Sequence, residues 1–141
     1  MATMILASAA VNGAAGYAQR ITTASGHDFA SDEPERRGGT NTGAAPFDLM
    51  LGSLGACTAI TLRMYADRKQ WQLGTIDVAL RLIKEGDGPM TIERKISVSE
   101  AMDDEQQAKL LEIADKTPVT KMLATGVPVQ TVFETSTQPA R

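Results

Sequence analysis

The stretch Leu49-Met-Leu-Gly-Ser-Leu-Gly-Ala-Cys-Thr-Ala-Ile-Thr-Leu62 decides the fold, because it is a run of 14 residues without a charged side chain. Pro46 precedes this run and suits the first turn of a helix, where its missing N–H costs nothing. Charge returns at Arg63 and again near Lys69. The pattern predicts one helix from Pro46 to Lys69, apolar nearly all round and therefore buried. The uncharged run is shorter than the roughly 20 residues that span a bilayer, so we expect a core helix and no membrane segment.

The sequence before this helix favours short strands followed by a loop. Residues 4–11 and 17–23 flank Asn12-Gly13, a strong hairpin signal, and residues 27–30 supply a third short strand. Residues 31–45 are polar and carry Pro34 and three glycines, which predicts a loop leading into the helix.

The sequence after the helix predicts a second hairpin and more helix. Residues 76–83 and 91–98 alternate apolar and polar side chains, as half-buried strands do. Arg94 breaks the inward-facing pattern, and we interpret it as an arginine that snorkels from a strand end rather than a buried functional pair.

Asp103 and Gln106 have the spacing of a capping box, and the helix that they begin should end at Thr117-Pro118. A short helix over 119–124, a final strand over 127–134 and a frayed tail after Thr135 complete the prediction.

This order of elements predicts an α+β fold in which antiparallel sheets surround a long buried central helix. The length of 141 residues suits one domain spanning 1–141. A helix with almost no polar face must be covered on all sides. One small domain can barely do so alone, and we therefore expect burial against a second subunit.

Composition excludes several classes of function. The net charge is −3, with acids and bases interleaved, which argues against a nucleic-acid surface. The first basic residue is Arg20, so the N-terminus lacks the positive charge that precedes the apolar part of a secretory signal. Together with a single cysteine, this favours a reducing, cytoplasmic setting.

Cys57 is the only cysteine, so it cannot form an internal disulfide or anchor a multi-cysteine metal site. It is either inert core filling or a shielded nucleophile. A reactive thiolate in the middle of a helix needs a nearby cation. Arg36 and Arg37 in the loop are the candidates, although paired loop arginines are usually only solvated. No sequence motif for a metal or a nucleotide is present, and we expect no cofactor.

Asp48 and His27 each have a simpler explanation than a catalytic role. Asp48 is a favourable first-turn acid in any helix. It precedes Cys57 by nine residues, which places the two on opposite faces and roughly 13–14 Å apart along the axis. If Asp48 orients a cation near the thiol, the acid therefore comes from another subunit. His27, the only histidine, is an improbable partner for the thiol.

Several segments together resemble the OsmC/Ohr family of thiol-dependent hydroperoxide reductases. The matching parts cover about residues 16–134 and include the cysteine helix from Leu54 to Lys69. The other matching residues are Asp32-Glu33-Pro34, Gly38-Gly39, Gly43, Pro46, Leu49, Ile113-Ala-Asp-Lys-Thr-Pro-Val119 and Leu123.

The resemblance implies an OsmC-like fold, an intertwined homodimer and a peroxidatic role for Cys57 toward organic hydroperoxides. It implies that a loop arginine, Arg37 first and Arg36 second, lowers the thiol pKa and polarises the peroxide. Asp48 looks like the acid that holds this arginine, in place of the usual glutamate.

The main departure from the family is Thr117, which stands where two-cysteine members carry a resolving cysteine. Threonine cannot form a disulfide, so an external thiol would have to reduce the oxidised sulfur. The alternative is an impaired relative that keeps the dimer and binds a small apolar ligand, or serves in stress response without turnover.

Overall fold

The computed structural model describes residues 2–135, which form five strands and three α-helices. The strands are β1 (Ala9–Asn12), β2 (Gln19–Thr23), β3 (Asp28–Ser31), β4 (Ile76–Lys84) and β5 (Met90–Val98). The helices are α1 (Pro46–Lys69), α2 (Asp104–Ala114) and α3 (Pro118–Thr125), and a 3-10 turn covers Glu35–Arg37. The predicted α+β fold is confirmed.

The strands form two separate antiparallel sheets, of which the one that contains β4 packs against the long helix. The first has the strand order β1-β2-β3, and the second is the β4-β5 hairpin, in which Ile76 pairs with Val98 and Leu80 with Arg94. The hairpin predictions are confirmed, with one difference at the N-terminus. Residues 4–8 precede β1 and belong to no strand, because β1 pairs with β2 only from Ala9 to Asn12.

The helix α1 begins and ends where the sequence predicts. Pro46 occupies the first turn, and the Asp48 carboxylate accepts a hydrogen bond from the Ala45 N–H at 3.3 Å. Gln70 then turns the backbone into the left-handed region, with φ of 59°, which ends the helix. The capping box of α2 is also present, with the Asp103 side chain accepting from the Gln106 N–H at 2.7 Å.

The core lies where α1 packs against β4, α2 and α3. Its buried members are Leu62, Ala66, Leu73, Leu110 and Ala114. They bring the second half of α1 together with α2 beneath the β4-β5 hairpin, and this packing fixes the position of the cysteine one turn earlier on α1.

A single chain covers only one face of α1. Leu54, Thr58 and Leu62 are buried, whereas Ile60 and Met64 are both 55% exposed. Within residues 2–135, α1 is also the one helix long and apolar enough to cross a membrane by length and composition, a criterion that the core helix of a soluble protein meets equally.

The predicted strand over 127–134 is wrong for the single chain. A strand needs a hydrogen-bonded neighbour, and in the described part of the chain none pairs with this segment. Its apolar side chains project into solvent, with Val129 87% and Phe133 93% exposed. The predicted fraying after Thr135 lies outside the described residues.

Candidate functional site

Cys57 lies at the edge of the buried face of α1. The thiol is free and half-buried, while the next residue, Thr58, is completely buried. Among residues 2–135 no group forms a hydrogen bond with its sulfur. This partial exposure means that Cys57 is not a fully buried core residue of the single chain.

Arg94 forms a hydrogen-bond network that includes Thr58, the residue after Cys57. Its Nη1 donates to the hydroxyls of Thr58 and Thr120, both at 2.9 Å. Its Nη2 donates to the Ala114 carbonyl at 3.1 Å and to the Asp115 carboxylate at 3.3 Å. The Arg94 side chain is only 13% exposed.

The interpretation of Arg94 as a snorkelling strand-end residue is therefore wrong. It lies in the middle of β5, which runs from Met90 to Val98, and its guanidinium points into the protein. The signal was present in the sequence, because Arg94 shares the inward parity of Ile92 and Ile96. What the sequence lacked was any sign that three helices would supply the acceptors.

Thr117 joins the same network and is completely buried. Its hydroxyl shares a 2.6 Å hydrogen bond with the Thr120 hydroxyl and accepts from the Thr120 N–H at 3.3 Å. Thr117 therefore caps α3, in the role that threonine commonly fills at the start of a helix. Through Thr120 and Arg94, the position predicted for a resolving cysteine is connected to Thr58, which follows Cys57.

The loop arginines occupy a different site. Arg36 and Arg37 lie in the exposed 3-10 turn and line a pocket of about 490 Å³ together with Asp48 at the start of α1. In the described part of the chain, Asp48 forms no ion pair with either arginine. Cys57 does not line this pocket. One chain thus brings the arginines and the acid together but leaves the thiol elsewhere.

Asp32 organises the loop that carries these arginines, and sequence reasoning gave it no role. Asp32 is 3% exposed, and its carboxylate accepts hydrogen bonds from the hydroxyls of Thr40 at 2.7 Å and Thr42 at 2.8 Å. It also accepts from the backbone N–H groups of Thr40, Thr42 and Glu33. These bonds, led by that from the Thr40 hydroxyl, hold the pKa of Asp32 well below its usual range.

Two glycines let the loop close around Asp32. A Cβ on Gly39 would lie 2.0 Å from the Glu33 carbonyl oxygen, and one on Gly43 would lie 2.2 Å from the Ala30 carbonyl oxygen. Neither contact is sterically possible. The Gly-rich composition that predicted a loop therefore reflects close backbone approach within a rigid loop.

His27 does not contribute to the site. Its ring Nδ1 lies 3.2 Å from the Ser25 hydroxyl in an exposed turn of the first sheet. No group of three or more histidine, cysteine, aspartate or glutamate side chains within residues 2–135 is arranged to hold a metal ion.

The fold has a long helix that carries a half-buried thiol, two separate antiparallel sheets and a Gly-rich loop before the helix. A family model described as OsmC-like protein matches residues 39–132, and the chain therefore belongs to the OsmC-like family. A comparison with curated proteins found no significant match.

Solved structures show the same fold. An osmotic stress induced and detoxification response protein from Psychrobacter arcticus is similar over 86% of this chain and 89% of its own, with 18% identity and a TM-score of 0.71. An organic hydroperoxide resistance protein from Legionella pneumophila matches over 86% and 91%, with 15% identity and a TM-score of 0.64. The organic hydroperoxide resistance protein OhrB of Bacillus subtilis matches over 83% and 89%, with 25% identity and a TM-score of 0.57.

Proposed function

We propose that this protein reduces organic hydroperoxides through Cys57 and is returned to its thiol form by an external thiol. The observation that carries the proposal is a half-buried, free Cys57 on the central helix of an OsmC-like chain. Resistance to organic hydroperoxides is the function named for relatives from Legionella pneumophila and Bacillus subtilis.

The proposed reaction has two stages. The Cys57 thiolate attacks the terminal oxygen of the hydroperoxide, the O–O bond breaks, and the alkoxide leaves as an alcohol after taking up a proton. The sulfur is then a sulfenic acid. One external thiol displaces water to form a mixed disulfide with Cys57, and a second releases the Cys57 thiol and an external disulfide.

A homodimer would complete this site. Within one chain, Asp48 precedes Cys57 on α1 by roughly 13–14 Å and lies on the opposite face of that helix. We infer that Arg37, with Arg36 as the second choice, meets the Cys57 thiol of a second copy. Exposed apolar side chains on α1 and in residues 127–133 support such a partner, because patches of this kind mark interaction surfaces.

The proposal is tested by mixing the purified protein with cumene hydroperoxide and following the fate of the sulfur. We expect a Cys57 sulfenic acid, trapped by dimedone and located by mass spectrometry, and turnover when dithiothreitol is supplied. Cys57→Ser is the matched control and should show neither. A wild-type protein whose Cys57 remains unmodified in a modest excess of hydroperoxide would contradict the proposal.

The second candidate function is a dimer that binds a small apolar molecule without turnover. The observation that favours it is Thr117, whose buried hydroxyl is committed to Thr120 and offers no second sulfur. Peroxide-inert Cys57 together with a bound apolar molecule in native mass spectrometry would select this candidate over the first.

Thr117→Cys tests the proposed relation between the two positions. If residue 117 faces Cys57 as the family resemblance implies, peroxide treatment should consume two thiols and form an internal disulfide that shifts mobility on a non-reducing gel. Retention of both thiols after peroxide treatment would show that residue 117 is not the resolving position.

A further inference from the structure

A second cavity, of about 510 Å³, lies on the Arg94 side of the molecule. It shares no lining residue with the pocket of the loop arginines. Its volume falls in the range of pockets that bind small organic molecules. Its wall is mainly hydrocarbon and includes Leu54, Ile92, Leu111 and Leu123.

Among the described residues, Arg94 is the one cation in this wall, and little negative charge balances it. Three of its four hydrogen bonds go to uncharged oxygens, those of Thr58, Thr120 and Ala114. The fourth goes to Asp115, at 3.3 Å, and that carboxylate is 80% exposed while the arginine is 13% exposed. A cation held out of water gains more from a close anion than from a solvated one.

The Arg94 guanidinium also has one N–H group that is free to donate a further hydrogen bond. Both N–H bonds of Nη1 and both of Nη2 are accounted for, whereas Nε–H has no partner among the described residues. A carboxylate binds an arginine best by accepting from two N–H groups at once. An anion that enters the cavity could accept one hydrogen bond from Nε–H and a second from Nη2, where it would replace Asp115.

We propose that this cavity is a binding site for a small monocarboxylate with a hydrocarbon tail. The carboxylate binds Arg94 and displaces Asp115, which swings into solvent. The tail packs against Leu54, Ile92 and Leu111. The site is formed within one chain and needs no chemistry at Cys57, so it is independent of peroxide reduction.

Octanoate is the probe, with octanamide and octan-1-ol as controls of similar size that carry no charge. Isothermal titration calorimetry on the full chain at neutral pH should show octanoate binding at least tenfold more tightly than either control. Equal affinity for the three compounds would overturn the proposal, because the cavity would then recognise only hydrocarbon.

Three variants locate the site. Asp115→Asn removes the competing anion at an exposed position and should tighten octanoate binding severalfold, while Arg94→Lys loses the paired N–H donors and should weaken it at least tenfold. Cys57→Ser should leave the affinity unchanged, which separates this site from the proposed peroxidase. An affinity that Asp115→Asn fails to raise, or that Arg94→Lys fails to lower, would overturn the proposal.

Discussion

The two arginine sites of this molecule are built in opposite ways. In the loop of residues 32–45, the backbone is held by Asp32 while the side chains of Arg36 and Arg37 are exposed. On β5, the Arg94 side chain itself is held, by acceptors from α1, α2 and α3.

Arginine thus serves two purposes in this protein: exposed in the loop, it is available to another molecule, and largely buried on β5, it holds elements of the fold together. An exposed guanidinium on a hydrogen-bonded loop can meet a thiol or a substrate that another copy brings to it, and it contributes little to folding. A guanidinium fixed by several acceptors ties helices to a strand, and its removal takes a charged donor away from each of them. Four substitutions test this division, from the largest expected change in stability to the smallest.

Arg94→Ala should destabilise the protein by about 3 kcal/mol, because the hydroxyls of Thr58 and Thr120 and the Ala114 carbonyl lose their common donor. Urea denaturation followed by circular dichroism measures the free energy of unfolding. A loss no larger than that caused by Arg37→Ala would show that the two sites do not differ in the way described.

Gly39→Ala should destabilise by about 2 kcal/mol, because its methyl group would overlap the Glu33 carbonyl oxygen and force the loop open. Gly52→Ala is the matched control, since a Cβ there meets no atom within 4 Å. In the interior of α1 the control should stabilise by about 0.5–1 kcal/mol. Equal midpoints of urea denaturation for the two variants would contradict the close-packed loop.

The stability that Asp32 contributes should depend on pH only in acid. Its folded-state pKa is lowered, so this contribution is fully present above the unfolded value of about 3.9 and is lost as the pH falls from there toward the folded value. Asp32→Asn should lower the denaturation midpoint at pH 7 and flatten its decline in acid. If the denaturation midpoint of the variant falls in acid as steeply as that of the wild type, other carboxylates cause the decline.

Arg37→Ala should change the free energy of unfolding by less than about 0.5 kcal/mol, as exposed substitutions usually do. It should lower the rate of cumene hydroperoxide reduction at least tenfold, because the proposed mechanism needs its charge beside the thiolate. Arg36→Ala, its neighbour in the same turn, is the control and should lower the rate less. If Arg36→Ala lowers the rate more than Arg37→Ala does, Arg36 is the arginine that acts beside the thiolate.

Local signals in the sequence accounted for most of the fold. The bounds of α1, the capping box of α2 and the β4-β5 hairpin follow from proline position, N-cap chemistry and alternation over neighbouring residues. The prediction of a strand over 127–134 was wrong because it also used only local signals. Alternating side chains indicate a segment suited to pairing, but they do not show that a neighbouring strand is present.

The same distinction between local signals and tertiary packing applies to the candidate site. The sequence by itself determined that one thiol lies on a long apolar helix, that a Gly-rich loop carries two arginines, and that position 117 has no sulfur. Only the tertiary structure decided what surrounds Arg94, because its partners Thr58 and Thr120 lie 36 and 26 residues away in the chain. Periodicity reports which way a side chain points, whereas the acceptors that it meets there depend on how distant helices pack.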